Sequence, residues 1–131
     1  FPTDLQAPFA VLMTQAHGIS RIHERVFEDR LRYTDQLLAM GANIHVEKYA
    51  NDTFATRAEV HGPTPLTGAP VRALDIRAGA GMVLAGLVAD GQTTISDIRH
   101  IDRGYEGLVS KLRDLGARIE ESSQSTPISR I

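Results

Sequence analysis

The sequence predicts an α/β fold built from two copies of one strand, helix, strand, helix, strand, strand unit. Three observations carry this. Asp4, Arg30 and Gly41 are echoed by Asp75, Arg103 and Gly116, at offsets of 71, 73 and 75 residues. The wording around them repeats as well: FEDR at 27–30 against HIDR at 100–103, and MGANI at 40–44 against LGARI at 115–119. Helical and alternating apolar patterns also succeed one another in the same order in both halves. Self-similarity at a fixed period marks a duplicated supersecondary unit.

The first copy is read as residues 1–66. Asp4 precedes a helix whose apolar residues Leu5, Phe9, Leu12, Met13 and Ala16 recur at helical spacing on one face. Pro8 falls near its first turn, where a missing N–H costs little, and Gly18 stops it. A short β pattern covers 19–24, with Ile19 and Ile22 as its apolar residues. Thr34 and Asp35 open a second helix over 35–40, closed by Gly41. Residues 44–48 alternate apolar and polar, as does part of 53–61, and the two read as a hairpin around Asn51 and Asp52. The stretch GPTPLTGAP at 62–70 is the strongest linker signal.

The second copy is read as residues 67–121. It starts with a strand at 71–74, and Asp75 precedes a helix at 78–89. There Met82, Val83, Leu84, Leu87 and Val88 cover most of the circumference, which predicts a helix buried between layers. Gly91 ends it and 93–98 is strand-like. A helix at 104–115 carries Tyr105, Leu108, Val109, Leu112 and Leu115 on one stripe and stops at Gly116. Residues 118–121 make the last strand, so this copy is expected to lack its final strands. The polar, aperiodic 122–131 reads as a C-terminal tail.

A chain of 131 residues suits one domain. With 42% hydrophobic and 23% charged residues it has the makings of a packed core. A net charge of −2 leaves no basic excess for a phosphate-driven nucleic-acid interface. There is no cysteine, so neither a disulfide nor a thiolate is available within it. No apolar run approaches the ~18–20 residues of a membrane span, and no signal peptide is visible. The chain opens on Phe1 rather than Met, which reads as a segment of a longer polypeptide.

Asp4 and Asp75 each stand just before a helix, where a carboxylate either caps the orphan backbone N–H groups or serves as a general base that orients a hydroxyl. Repetition does not separate these roles, because a duplicated cap repeats too. Arg30 and Arg103 are expected in loops after strands and before helices, places that commonly hold ligands. Arg77 lies in the first turn of the buried helix, suited to bidentate binding of a carboxylate or phosphate. The other reading of all three is surface arginines in weak ion pairs. His17, His23, His45, His61 and His100 show no metal-ligand spacing and read as scattered surface or strand residues. Gly79 and Gly81, in AGAG, lack a phosphate-loop context and read as close helix packing.

Four stretches then resemble one family: FPTDLQAPF at 1–9, VFEDR at 26–30, LDIRAGAGMVLAGLVADG at 74–91 and HIDRGYEGLVSKLRDLGARIE at 100–120. They resemble the UDP-N-acetylglucosamine 1-carboxyvinyltransferases, enolpyruvyl transferases that begin bacterial peptidoglycan precursor synthesis. The resemblance covers most of the chain outside the tail and parts of 51–70, and matches about the last third of that family. It implies an inside-out α/β barrel, with helices inside and sheets outside, made of βαβαββ-type units about a pseudo-threefold axis. This chain would hold two of the three units of one domain. The missing N-terminal part of the same enzyme would hold the catalytic cysteine loop and a lysine that contacts phosphoenolpyruvate.

The implied reaction moves an enolpyruvyl group from phosphoenolpyruvate to the 3-hydroxyl of UDP-N-acetylglucosamine. Asp4 aligns with the aspartate that binds the sugar hydroxyl and is proposed as base. Val26 aligns with a backbone contact to the nucleotide sugar, and Arg103 with the arginine that binds phosphoenolpyruvate. Arg30, Asp75 and Arg77 align with further charged residues of the cleft. The resemblance implies a bacterial, cytoplasmic enzyme that needs no cofactor or metal, with neither nucleic acid nor membrane as partner. The 131-residue piece alone is expected to be inactive and, with apolar helix faces exposed, to self-associate. Two alternatives stand beside this. One is the related shikimate 3-phosphate enolpyruvyl transferase, whose KETDR-type segment is absent here. The other is a binding or folding fragment without turnover.

Overall fold

A computed structural model describes residues 5–25, 31–48, 56–121 and 125–130; for 100, 102, 103 and 125–130 it describes the backbone alone. The first half runs α1 (Gln6–Gln15), β1 (Gly18–His23), α2 (Tyr33–Ala39), β2 (Asn43–Glu47) and β3 (Arg57–Gly62). The second runs β4 (Pro70–Arg72), α3 (Ile76–Val88), β5 (Gly91–Ser96), α4 (Arg99–Gly104), α5 (Leu108–Asp114), β6 (Arg118–Ile119) and β7 (Ser125–Arg130).

The two halves share one topology. The first sheet has the order β1-β3-β2, with both pairings antiparallel. The second has the order β4-β5-β7-β6, in which β5-β7-β6 repeats that pattern and β4 adds a parallel strand on β5. Among the described residues no strand lies on the outer edge of β1, where β5 has β4. Helix ends repeat too. After α2, Gly41 takes φ +92 and the N–H groups of Gly41 and Ala42 donate to the carbonyls of Leu38 and Leu37. After α5, Gly116 takes φ +101 and Gly116 and Ala117 donate to Arg113 and Leu112. The duplicated text at 40–44 and 115–119 is therefore a duplicated helix stop.

Alternation decides the faces of the strands. Ile22, Ile44, Ala58 and Val60 point inward from the first sheet, and Val71, Ile95 and Ile119 from the second. The helices lie between: α1 rests on β1 and β3, α3 on β4, β5 and β7, and the two helices pack on each other. Leu37, Met40, Leu66, Met82 and Ile95 are the largest fully buried apolar side chains. Each contributes about 1.5–3 kcal/mol by leaving water.

Three sequence expectations need correction. Within the expected tail, residues 125–130 form β7, which inserts between β5 and β6. Its polar STPISR text, with Pro127 in register with Thr94, hides a strand that backbone pairing makes. The helix expected at 104–115 begins only at Leu108, after Gly107 adopts φ 65, and Gly104 instead ends a separate helix, α4. Finally, α1 buries Gln6, Ala7, Ala10, Val11 and Thr14, while Leu12 is 61% exposed and Leu5 also faces outward. The cause is close packing. A Cβ on Gly81 of α3 would stand 2.9 Å from the Ala7 Cβ, so only small residues fit between the two helices. The packing reading of AGAG holds at this contact.

Candidate active site

The linker after β3 fixes how the central helices run. Thr64 donates its N–H to the Thr14 carbonyl at the end of α1 (2.7 Å), and Gln15 Nε2 reaches the Thr64 carbonyl (2.9 Å). A few residues on, Gly68 donates to the Asp90 carbonyl and Asp90 to the Leu66 carbonyl, just past the end of α3. The C-terminal ends of α1 and α3 are thus held by one short segment. Ala7, in the first turn of α1, meets Gly81 near the middle of α3. The helices are parallel, and their first turns, with the positive ends of both dipoles, share one end of the molecule.

Two further elements reach that end. Tyr33, the first residue of α2, donates its hydroxyl to Gln6 Oε1 in the first turn of α1 at 3.0 Å. In the second half α4 lies along the start of α3. Ile101 packs against Gly79, and a Cβ on Gly104 would overlap Ile76.

Of the expected site residues, Asp4, Val26 and Arg30 lie outside the described residues. Asp75 is the N-cap of α3: its Oδ1 accepts from the N–H groups of Arg77 and Ala78, both at 2.9 Å. The capping role left open by the sequence is therefore realised at Asp75. At α1 the cap position is Leu5, with no side-chain bond, so Asp4 precedes the cap in the chain. Arg77 is half-buried in the first turn of α3. The backbone of Arg103 belongs to α4 rather than to a loop. The Tyr105 N–H closes that helix on the Ile101 carbonyl at 2.8 Å.

His17 is exposed and His23, His45 and His61 lie on strands, as expected, while the backbone of His100 belongs to α4. His45 and His61 meet edge to face at 5.2 Å on the outer face of the first sheet, and His61 Nε2 lies 2.8 Å from Glu59 Oε1. That bond, with help from Arg21 at 3.1 Å, holds the Glu59 carboxyl below the ordinary carboxylate range. Among the described residues no three His, Asp or Glu side chains are grouped to hold a metal ion. A depression of about 270 Å3 on the same sheet is lined by Arg21, His23, Glu47, Arg57 and Glu59 among others. Its charged residues alternate with the inward-facing Ile22 and Ala58, so it opens on the side away from α1. No described helix is long and apolar enough to cross a membrane.

A polar cluster that the sequence reasoning did not anticipate is Gln6, Tyr33 and Glu24, all buried. Burial raises the Tyr33 phenol pKa well above its usual value, and the nearby Glu24 charge raises it further. The phenol is therefore a committed donor to Gln6. Gln6 stands one position off the apolar spacing of α1, and only the tertiary fold reveals its partner.

The starts of α1 and α3, an arginine in the first turn of α3 and the α4 backbone at its side thus gather the positive ends of two helix dipoles and a cation at one corner. The family described as EPSP synthase (3-phosphoshikimate 1-carboxyvinyltransferase) matches residues 1–112, and the chain belongs to this family. Within it, the chain is 48% identical over 127 residues to the UDP-N-acetylglucosamine 1-carboxyvinyltransferase of Koribacter versatilis (strain Ellin345), covering 97% of this chain and 28% of that protein. It is 55% identical over 121 residues to the protein of the same name from Bdellovibrio bacteriovorus (strain ATCC 15356 / DSM 50701 / NCIMB 9529 / HD100), covering 91% and 27%. The crystal structure of the enolpyruvyl transferase NikO from Streptomyces tendae superposes with a TM-score of 0.77 at 33% identity, over 98% of this chain and 27% of that one. The fold is that of the enolpyruvyl transferases. The chain spans little more than a quarter of the length of the curated relatives it matches.

Proposed function

We propose that this chain is the C-terminal part of an enzyme that transfers the enolpyruvyl group of phosphoenolpyruvate to the 3-hydroxyl of UDP-N-acetylglucosamine, in cytoplasmic synthesis of a bacterial peptidoglycan precursor. The observation that carries this is the 48–55% identity, across more than nine-tenths of the chain, to relatives bearing that name. In this reading Asp4 takes the hydroxyl proton as the C–O bond forms. Arg103 holds phosphoenolpyruvate, and Val26, Arg30, Asp75 and Arg77 line the nucleotide-sugar and phosphate side of the cleft. Cations at the corner stabilise charge that develops as phosphate leaves. The choice of Asp4 over Asp75 as base draws support from Asp75, whose carboxylate is engaged with its own helix.

The division into a first repeat at 1–66 and a second from 67 onward, two units of an incomplete pseudo-threefold domain, belongs to the same proposal. The shared topology supports it. So do Leu5 and Leu12 on α1 and Leu84 on α3, large apolar side chains that stay exposed on helices at the centre of the molecule. The name of the matching family favours shikimate 3-phosphate as a second acceptor to test.

Phosphate release from phosphoenolpyruvate by the full-length polypeptide decides between the acceptors. Release that depends on UDP-N-acetylglucosamine is expected, and release that depends on shikimate 3-phosphate instead would overturn the reading. The isolated 131 residues are expected to show no release and to self-associate in sedimentation. Turnover by the piece alone, or a monodisperse monomer, would contradict those two expectations in turn.

A further inference from the structure

We infer that the buried Gln6–Tyr33 pair is a positioning element that ties the start of α2, which follows the stretch carrying Val26 and Arg30, to the first turn of the helix that follows Asp4. The inference rests on the function proposed above and goes beyond it by adding residues that touch no substrate.

The geometry is compact. Glu24 closes β1, its backbone N–H donating to the Thr56 carbonyl at 2.8 Å, and its side chain is buried. Tyr33 opens α2. Just before it, the Leu31 carbonyl accepts from both the hydroxyl of Thr34 (2.6 Å) and its N–H (3.1 Å), so the entry to α2 is pinned as well. The two anchors flank residues 26–30 on either side. Tyr33 reaches Gln6, two residues after Asp4, through one hydrogen bond between side chains only 3% and 5% exposed. A buried hydroxyl–carboxamide bond has no water to replace it, so its loss is felt as displacement or as an unsatisfied carbonyl. Burial and the Glu24 charge keep the Tyr33 phenol protonated, which fixes the direction of the bond. In the second half Gly104 fits closely against Ile76 at the start of α3.

The test is steady-state kinetics of the full-length polypeptide. Tyr33→Phe, which keeps the ring and removes the donor, is expected to lower kcat by about 10–100-fold, the size of effect that small misplacement of reacting groups produces. KM should move little and the melting temperature only modestly. Wild-type kcat in a folded Tyr33→Phe protein overturns the inference. Gln6→Glu supplies a second readout. A carboxyl in this buried place beside Glu24 holds its proton above the ordinary range and, while protonated, has the shape of the glutamine. The ratio of its activity to wild type should approach one at low pH and fall as pH rises through the carboxyl's titration. A ratio independent of pH overturns the inference even where Tyr33→Phe does not fold. Asp4→Ala, assayed alongside, separates the two levels. If it keeps full turnover, the functional reading falls. If it is inactive while Tyr33→Phe and Gln6→Glu behave as wild type, only the positioning role falls.

Discussion

The two repeats follow the same backbone route and diverge where chemistry is expected. In both, the first helix ends on the linker side, the strands pair in the same antiparallel order, and the second helix stops on a left-handed glycine with the same hydrogen bonds. At the helix starts the correspondence breaks. Asp75 caps α3 with its own carboxylate, whereas the cap of α1 is Leu5 and offers no side-chain bond. The neighbouring helix is tied on by a buried Tyr33–Gln6 bond in the first repeat and by the close fit of Gly104 on Ile76 in the second. Duplication has thus kept the path of the chain and freed its corners. Equal letters in the two copies need not do equal work, and the two aspartates are the case to test.

The largest expected effects test that case. In the full-length polypeptide Asp4→Ala should lower kcat by about 10²–10⁴-fold, the usual contribution of a positioned general base, with nucleotide-sugar binding weakened less. Asp75→Ala should behave as a lost helix cap, costing about 1 kcal/mol of stability in a melting experiment. Kinetics and melting curves on both variants check the contrast. Matching losses of turnover would restore a shared chemical role to the two aspartates and erase the asymmetry.

Much of the scaffold was legible because it depends on local rules. Alternation located β2 and β3, and the stops at Gly41 and Gly116 were visible as glycines after helical runs. What failed was decided by tertiary contact. Periodicity found α1 and its large apolar stripe, yet the buried apolar residues are Ala7, Ala10 and Val11, with α3 so close at Ala7 that Gly81 leaves no room for a Cβ. The stripe at 104–115 likewise put Leu115 inward, and it is 84% exposed beyond the break at Gly107. β7 carried no side-chain signal at all. At the candidate site, the capping alternative at Asp75 was readable from its place before a helix. The Tyr33–Gln6 bond, which joins residues 27 apart in the chain, was not.

An intermediate effect follows from that packing. Gly81→Leu, which drives a branched side chain into the Ala7 contact, should destabilise the protein by about 1–3 kcal/mol through overpacking. This holds although leucine is the better helix former by several tenths of a kcal/mol or more. Leu12→Gln, on the outer side of the same helix pair, should leave the monomer's stability nearly unchanged while reducing self-association of the 131-residue chain. Chemical denaturation and sedimentation measure the two. A stable Gly81→Leu protein would mean that the helices are not in close contact, and the parallel arrangement that gathers their first turns would lose its main support.

The smallest effect probes the likeness of the repeats rather than their difference. Gly41 and Gly116 have φ of +92 and +101, and around neither is there a crowding neighbour: a Cβ on Gly41 meets only the Pro65 carbonyl at 3.7 Å, and one on Gly116 meets nothing within 4 Å. With space ruled out, the penalty for Gly41→Ala and Gly116→Ala is backbone strain alone, about 1–2 kcal/mol at a left-handed position. Because both residues close the same pair of bonds, the two losses should agree within the error of a denaturation experiment. A clear inequality would locate divergence in the scaffold itself, and the corners would no longer be the sole place where the copies parted.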